Sequence, residues 1–253
     1  MKEKKRTAIE IKSIGKNYEA CEVIQNISLS IEKGDFLAIV GPNGCGKSTI
    51  LNILSGITQP TIGEIKFERF DNRKFSYIFQ NYRESLLPWM NNYENIAFHL
   101  RLHKENDNNI SKKINEMGEI FSFNGNLKRY PYELSGWQQQ ILAFMRALAI
   151  EPEILFIDEP FSALDYENNL LLRKHLQGYY KKYNPTIIVI THDIEEAVHL
   201  AHTIIVLSKK PSKIIKIIEN NAAYPRNNAF MNSKKFNNIK SKVLYSFLSG
   251  AKA

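Results

Sequence analysis

Residues Gly41-Pro42-Asn43-Gly44-Cys45-Gly46-Lys47-Ser48-Thr49 carry the spacing G-x-x-x-x-G-K-[S/T]. The chemistry that suits this pattern is the holding of a phosphate chain. Glycine has no Cβ, so the backbone can take positive φ angles and wrap closely around an anion. Successive N–H groups then form a nest for negative charge. A helix that begins at the end of the loop adds the positive end of its dipole. Lys47 is expected to reach the β- and γ-phosphates of a nucleoside triphosphate, and Ser48 to hold Mg²⁺. The flanks agree. Phe36-Leu-Ala-Ile-Val40 is an apolar run of strand length that leads into the loop, and Ser48 to Leu54 reads as a helix stopped by Gly56 and Pro60. A plain glycine-rich turn would need neither flank.

Hydrolysis of such a ligand calls for a carboxylate near the metal and a base for water. Ile154-Leu-Phe-Ile-Asp158-Glu159 offers both. Four apolar residues put Asp158 at the carboxyl end of a buried strand, where ligands gather in open α/β sheets. Asp158 can hold Mg²⁺ directly or through water, and Glu159 is placed to polarise the attacking water. An acidic pair after a strand also makes an ordinary helix N-cap; in a chain that carries a phosphate loop the catalytic reading is the stronger one. His192 follows a second buried run, Thr186–Thr191, and suits either a contact to the γ-phosphate or water, or a structural role. Cys45 stands near a helix N-terminus, a setting that can lower a thiol pKa, or is a small residue that fits the loop. Cys21 and Cys45 make neither a disulfide framework nor a zinc pattern, and a reducing compartment fits.

The elements that must position these residues follow from periodicity. Ala8–Lys12 and Ile27–Ile31 alternate as strands, and Gly63–Phe67 and Phe75–Phe79 read as two more. From about Tyr82 to Ile150 the pattern turns helical, with Ile110, Ile114, Met117 and Phe121 on one face, Asn106–Asn109 as a loop and cap, and Leu134–Ala149 as a helix that ends before Pro152. Strands return at Ile154–Asp158 and Thr186–Thr191, then at Thr203–Leu207 and Ile214–Ile218, which read as edge strands joined by the Lys209-Lys-Pro-Ser turn. Phe236, Ile239, Val243, Leu244 and Phe247 fit a terminal amphipathic helix. Strands alternating with helices around a helical insert predict an α/β sheet covered on both faces.

Together these residues resemble the ATP-binding cassette (ABC) family over nearly the whole chain. Gly41–Thr49 is similar to its Walker A motif, Ile154–Glu159 to Walker B, Gln80 to the Q-loop glutamine, Leu134-Ser-Gly-Trp-Gln138 to the signature, Ser162-Ala-Leu-Asp165 to the D-loop and His192 to the switch histidine. Tyr18 matches the aromatic that stacks on adenine. The resemblance implies an α/β P-loop NTPase fold, a RecA-like and mostly parallel sheet core with an antiparallel β subdomain and an α-helical signature subdomain. It places the ATPase domain at 1–220, the helical subdomain at about 83–150 and a short basic helical tail at 221–253. It also implies ATP and Mg²⁺ as ligands, with Gln80 joining Ser48 and Asp158 at the metal and Glu159 and His192 acting on water. The expected assembly is a head-to-tail dimer in which Ser135, Gly136, Gln138 and Asp165 meet the nucleotide across the interface. Two positions depart from the pattern: Trp137 replaces the usual second glycine of the signature, and Ile141 stands where arginine is common. Leu86-Leu-Pro-Trp89 with Asn92–Asn95, Leu207–Ile214 and Tyr224-Pro-Arg226 look most like bacterial importers of the nitrate, sulfonate and taurine type. That likeness implies membrane permease subunits as partners, an extracytoplasmic solute-binding protein as an indirect one, and a peripheral place on the cytoplasmic face of the membrane.

The formal net charge is +8. From Lys209 onward ten Lys or Arg stand against the single acid Glu219, and Lys2, Lys4, Lys5 and Arg6 add to the N-terminus. A basic tail can bind nucleic acid or an anionic membrane, and the terminal helix can lie on a membrane surface; the plainer readings are a solvated face and a helix packed on its own domain. No stretch approaches the ~18–20 apolar residues of a membrane span, and no hydrophobic signal core follows the basic start. A soluble ABC ATPase acting on nucleic acid or ribosomes is the alternative. A P-loop kinase is a third reading, and the signature and His192 speak against it; no nucleic-acid partner is expected.

Overall fold

The structure, a computed structural model, describes residues 6–19, 21–68, 75–162 and 164–250. Lys2, Lys4 and Lys5 of the basic N-terminus, and Ala163 of the stretch likened to the D-loop, lie outside the described residues. In chain order the first elements are β1 (Thr7–Tyr18), β2 (Cys21–Glu32), β3 (Phe36–Val40), α1 (Lys47–Leu54), β4 (Ile62–Phe67) and β5 (Phe75–Ile78). Next come α2 (Asn92–Leu102), α3 (Asp107–Phe121), α4 (Gly136–Leu148), β6 (Ile154–Asp158), α5 (Tyr166–Tyr183), β7 (Thr186–Ile190) and α6 (Ile194–Leu200). The chain ends with β8 (Thr203–Leu207), β9 (Ile214–Glu219), α7 (Asn228–Met231) and α8 (Lys234–Gly250). It packs as two compact units, Met1–Asn72 with Pro185–Ala253, and Arg73–Asn184.

The first unit holds an antiparallel sheet in the order β2-β1-β4 and a run of strands in the order β7-β3-β8-β9. β1 and β2 run well past the alternating segments visible in the sequence. Their register shifts between Ile11 and Ile14, and Ser13 and Asn26 take left-handed backbone angles. Bulges of this kind break the period-two pattern while the ladder continues. β3 is buried along its whole length, between β7 and β8, and runs parallel to both. The expectation that Thr203–Leu207 forms an edge is corrected: β8 pairs with β3 on one side and antiparallel with β9 on the other. Its unbroken apolar run, with Ile204 to Leu207 buried, is what a strand covered on both faces requires.

The basic tail is partly structural. α8 packs on α6, β8 and β9 of its own unit, with Phe236, Ile239 and Val243 buried, which is the plainer of the two sequence readings. Arg226 is 2% exposed. Its guanidinium donates to the carbonyls of Ala201 (2.8 Å) and Val198 (3.1 Å), where α6 ends. Asn220 Nδ2 donates to the same two carbonyls, at 3.1 and 2.7 Å. Helix C-termini leave carbonyls without partners in the helix, and this tail supplies them.

The second unit holds the parallel pair β5–β6, with Tyr77 opposite Phe156 and Ile78 opposite Ile157. Around them α3 packs on α2, α4 and α5, and α2 packs on α4. Ile96, Leu100, Ile114, Met117, Phe121 and Phe144 form the core. Asn106 alone is the cap of α3, accepting from Asn109 N–H, so Asp107–Asn109 are helical where the sequence suggested a loop. α5 carries Arg173, His175 and Gln177 on its buried side, and that polar content hides its helical period. Ile141 is 2% exposed, a core residue of α4.

Candidate nucleotide site

The phosphate loop follows β3 directly. Gly44 and Gly46 have φ of 74° and 109°, and a Cβ on Gly46 would lie 2.8 Å from Val23 Cγ1. Only glycine meets both demands there. Gly46 is the N-cap of α1 and supplies no side-chain cap. The first turn carries no acidic residue and opens on Lys47. The N–H groups that a helix start leaves over receive no bond from the N-cap residue, and the dipole favours an anion. Lys47 is buried, and its Nζ donates to the carbonyls of Gly41 (3.1 Å) and Pro42 (3.2 Å). Asn43, Gly44 and Ser48 are exposed, and Pro42 and Thr49 half-buried. Cys45 is 1% exposed, and burial pushes its thiol up, against the pull of Lys47. That removes the reactive-thiolate reading and leaves a small residue that fits.

In the same unit Tyr18 ends β1 with its ring exposed and Lys16 Nζ 4.9 Å from the ring centre. The ammonium lies over one face of the ring, and the side chain is otherwise exposed enough to take a stacking partner. His192 is exposed just past β7. The backbone around it is fixed: Asp193 caps α6 through Glu195 N–H at 2.7 Å, and Thr191 Oγ1 lies 2.5 Å from Glu196 Oε2.

The acidic pair belongs to the second unit. Asp158 is the last residue of β6 and is 8% exposed. Tyr77, on β5, hydrogen-bonds to it; burial first, then the Asp158 charge, holds that phenol well above the ordinary tyrosine range. Glu159 has φ 42°, left-handed backbone that is costly for a residue with a side chain and often found where function demands it. The loop beyond it is pinned: Ser162 Oγ donates to the Glu159 carbonyl at 3.0 Å, and Gln140 Nε2 lies 2.5 Å from the Pro160 carbonyl. Gln80 Nε2 donates to Glu159 Oε2 at 3.4 Å. The amide oxygen of Gln80, the one atom of that side chain able to bind a metal, is the other end of the group.

The signature residues gather at the start of α4. Ser135 is its N-cap: Ser135 Oγ accepts from Gln138 N–H (3.3 Å), and Gln138 Oε1 accepts from Ser135 N–H (3.1 Å). Ser135 is exposed, and its hydroxyl keeps a hydrogen to give. Asp165 caps α5, accepting from Asn168 N–H at 2.9 Å and Asn168 Nδ2 at 2.7 Å, and these bonds hold its carboxyl below the usual range. Gln80, Gly136, Trp137 and Asp165 all line one cavity of about 610 Å³, together with Tyr82 and Arg83. Tyr82 hydroxyl donates to the Gly136 carbonyl at 3.1 Å. Trp137 is half-buried on the wall of this cavity.

Sequence reasoning missed Tyr77, Tyr82 and Gln140, which hold Asp158, the start of α4 and the loop after Glu159. Tyr77 carried a weak signal as a phenol in a short strand between Ser76 and Ile78; Gln140 and Tyr82 carried none.

The oxygen donors proposed for a metal, a hydroxyl, a carboxylate and an amide, are the hard ligands that Mg²⁺ takes, and the bare start of α1 suits a phosphate. The family model for ABC transporters matches residues 24–162. The aliphatic sulfonates import ATP-binding protein SsuB of Bacillus thuringiensis is 40% identical, with 94% of each chain covered. The sulfate/thiosulfate import ATP-binding protein CysA of Pseudomonas syringae is 38% identical over 80% of this chain and 65% of its own. The dimeric structure of MJ0796, a bacterial ABC transporter cassette, superposes with a TM-score of 0.73 at 28% identity, covering 85% of this chain and 100% of that one. A post-hydrolysis dimer of the same cassette with ADP and Pi matches with the same TM-score at 27% identity, again covering 85% of this chain and 100% of that one. From its phosphate loop to its signature helix, the chain belongs to the ABC transporter family.

Proposed function

We propose that the chain is the ATP-binding and ATP-hydrolysing subunit of an importer for small organosulfonates or related oxyanions, working as a head-to-tail dimer on two membrane permease subunits. Supporting it above all is the 40% identity to a sulfonate import ATP-binding protein over 94% of both chains. Among the described residues no helix is long and apolar enough to cross a membrane. Membrane contact then comes through partners, at the cytoplasmic face. An extracytoplasmic binding protein supplies the solute.

Tyr18 stacks on adenine, and the loop from Gly41 to Thr49 holds the phosphates through backbone N–H groups and Lys47. Ser48, Asp158 and Gln80 hold Mg²⁺, which when bound neutralises phosphate charge. Glu159, anchored by Gln80 and by its own constrained backbone, accepts the proton of the attacking water as that oxygen bonds to the γ-phosphorus and ADP leaves. His192 orients the same water. Ser135, Gly136, Gln138 and Asp165 serve the partner's nucleotide.

Disruption of the gene in its own host tests the reading. Uptake of an alkanesulfonate should be lost and return with the unaltered chain but not with Glu159→Gln. Normal uptake in the disrupted strain overturns the substrate class; a purified chain that releases no phosphate from MgATP, alone or with its permease, overturns the activity. The nucleic-acid alternative rests on the basic tail alone, and the import ATP-binding relatives do not favour it.

A further inference from the structure

The turn between β8 and β9 reaches back to the phosphate loop. We propose that Ser212, in this turn, is a positioning residue for nucleotide binding: it fixes the Cys45–Gly46 peptide so that the Gly46 N–H faces the phosphates. The inference rests on the reading of Gly41–Thr49 as an ATP loop.

Ser212 is 0% exposed and, beside a contact of its hydroxyl with the Cys45 thiol, makes three bonds. Its N–H donates to the Val23 carbonyl (2.9 Å), and its carbonyl accepts from Gln25 N–H (3.0 Å). Its hydroxyl donates to the Cys45 carbonyl. That third bond matters for geometry. The carbonyl of Gly46 already accepts from Ile50 N–H (2.9 Å) as the first rung of α1. The Cys45 carbonyl stands one residue before the N-cap and outside the helix ladder, and a buried carbonyl needs a partner. A trans peptide is planar, with its C=O and the following N–H pointing in opposite directions. Holding the Cys45 C=O toward Ser212 therefore aims the Gly46 N–H away from Ser212, as one donor of the anion nest. Without the hydroxyl this peptide is free to turn, and the nest loses a fixed donor.

The turn is braced in its own right. Ser208 Oγ accepts from Lys213 N–H at 2.9 Å and donates to the Lys209 carbonyl at 2.8 Å. Lys209 N–H donates to the Gly250 carbonyl at 3.2 Å, at the end of α8. Thus the terminal helix, β2 and the turn form a frame behind the loop.

The test uses a Cys21→Ser parent, in which Cys45 is the single thiol. Ser212→Ala in that parent is compared with Ser246→Ala, which removes a buried hydroxyl from α8 (Ser246 Oγ donates to the Lys242 carbonyl at 2.9 Å). Expected for Ser212→Ala are alkylation of Cys45 by N-ethylmaleimide about tenfold faster and a KM for ATP about three- to tenfold higher, with kcat within about twofold. The Ser246→Ala control should match the parent in all three. Equal alkylation and equal KM in the two variants overturn the proposal. A parent that binds no MgATP brings down the nucleotide reading instead, whatever the alkylation rates. If Ser212→Ala does not fold, hydrogen exchange of the unaltered chain decides. Peptides spanning Cys45 and Ser212 should gain protection together when MgADP is added, and protection confined to the loop peptide overturns the clamp.

Discussion

The N-termini of α1 and α4 are assigned to the same kind of ligand but are built in opposite ways. α1 starts at a left-handed glycine with no side-chain cap and a lysine in its first position. α4 starts at Ser135 in a reciprocal capping box with Gln138. The capping box meets two of the four leftover N–H groups, those of Ser135 and Gln138. A bare terminus leaves them to water or an anion. The difference separates two tasks. On the function proposed above, α1 would hold the phosphates of its own subunit's nucleotide. α4 has half of its leftover N–H groups met by the capping box and would offer the N–H groups of Gly136 and Trp137, a hydroxyl hydrogen and the end of a dipole. That would be the weaker hold of a surface meeting a nucleotide carried by a second subunit.

The largest effect belongs to chemistry, not to either helix. Glu159→Gln should lower turnover about a thousandfold while MgATP still binds. Trapped in this way, the protein reports both helix contacts at once, and sedimentation with MgATP should show the dimer. Near-normal phosphate release in this variant refutes the assignment of Glu159. Lys47→Ala should then cost about a hundredfold in kcat/KM, and it should weaken nucleotide binding by the lone subunit. An unchanged affinity would mean that the bare start of α1 is not where phosphate sits.

Ser135→Ala probes the other side. Loss of the cap should destabilise the second unit by about 1 kcal/mol. Phosphate release by the dimer should fall about tenfold, and nucleotide affinity of the lone subunit should not move. If turnover holds and only the melting temperature falls, Ser135 is a cap and nothing more. Trp137→Gly is expected to leave turnover within about twofold. Trp137 is half-buried and lines the same cavity as Tyr82 and Arg83, so its removal should show as roughly 2 kcal/mol of stability from lost burial and a helical glycine. A several-fold rise in turnover would instead make Trp137 a brake on closure.

The sequence made the loop, the acidic pair and the signature legible because their chemistry needs fixed residue types at fixed spacing. β3 and β6 were legible to the residue, since full burial on both faces leaves an unbroken apolar run. What stayed hidden has physical causes. Bulges at Ser13 and Asn26 cut two long strands into short alternating pieces. α5 buries Arg173, His175 and Gln177, and a rule that seeks apolar stripes passes over it. Supporting bonds such as Ser212 to Cys45 join residues far apart in the chain through a carbonyl, and a backbone acceptor leaves no mark in the sequence.

His175 gives the smallest of these effects, and it bears on the contrast between the two helices. Its ring stands edge-on to Phe121, 5.8 Å away, in the unit that carries α4. Burial, helped by the charge of Lys174, lowers its pKa from 6.5 to about 4. The folded chain therefore refuses a proton that the unfolded chain accepts below about pH 6.5. Stability should be full above that pH and fall progressively toward pH 4, by about 1 kcal/mol between pH 7 and pH 5.5. His99, in the same unit, is lowered by burial and by the Arg146 charge, so His175→Leu should reduce the acid slope without abolishing it. Amides of α4 and α5 should lose exchange protection on mild acidification before those of α1. Equal pH dependence of melting in the unaltered and His175→Leu chains would show that the buried imidazole does not set the acid limit of the signature helix.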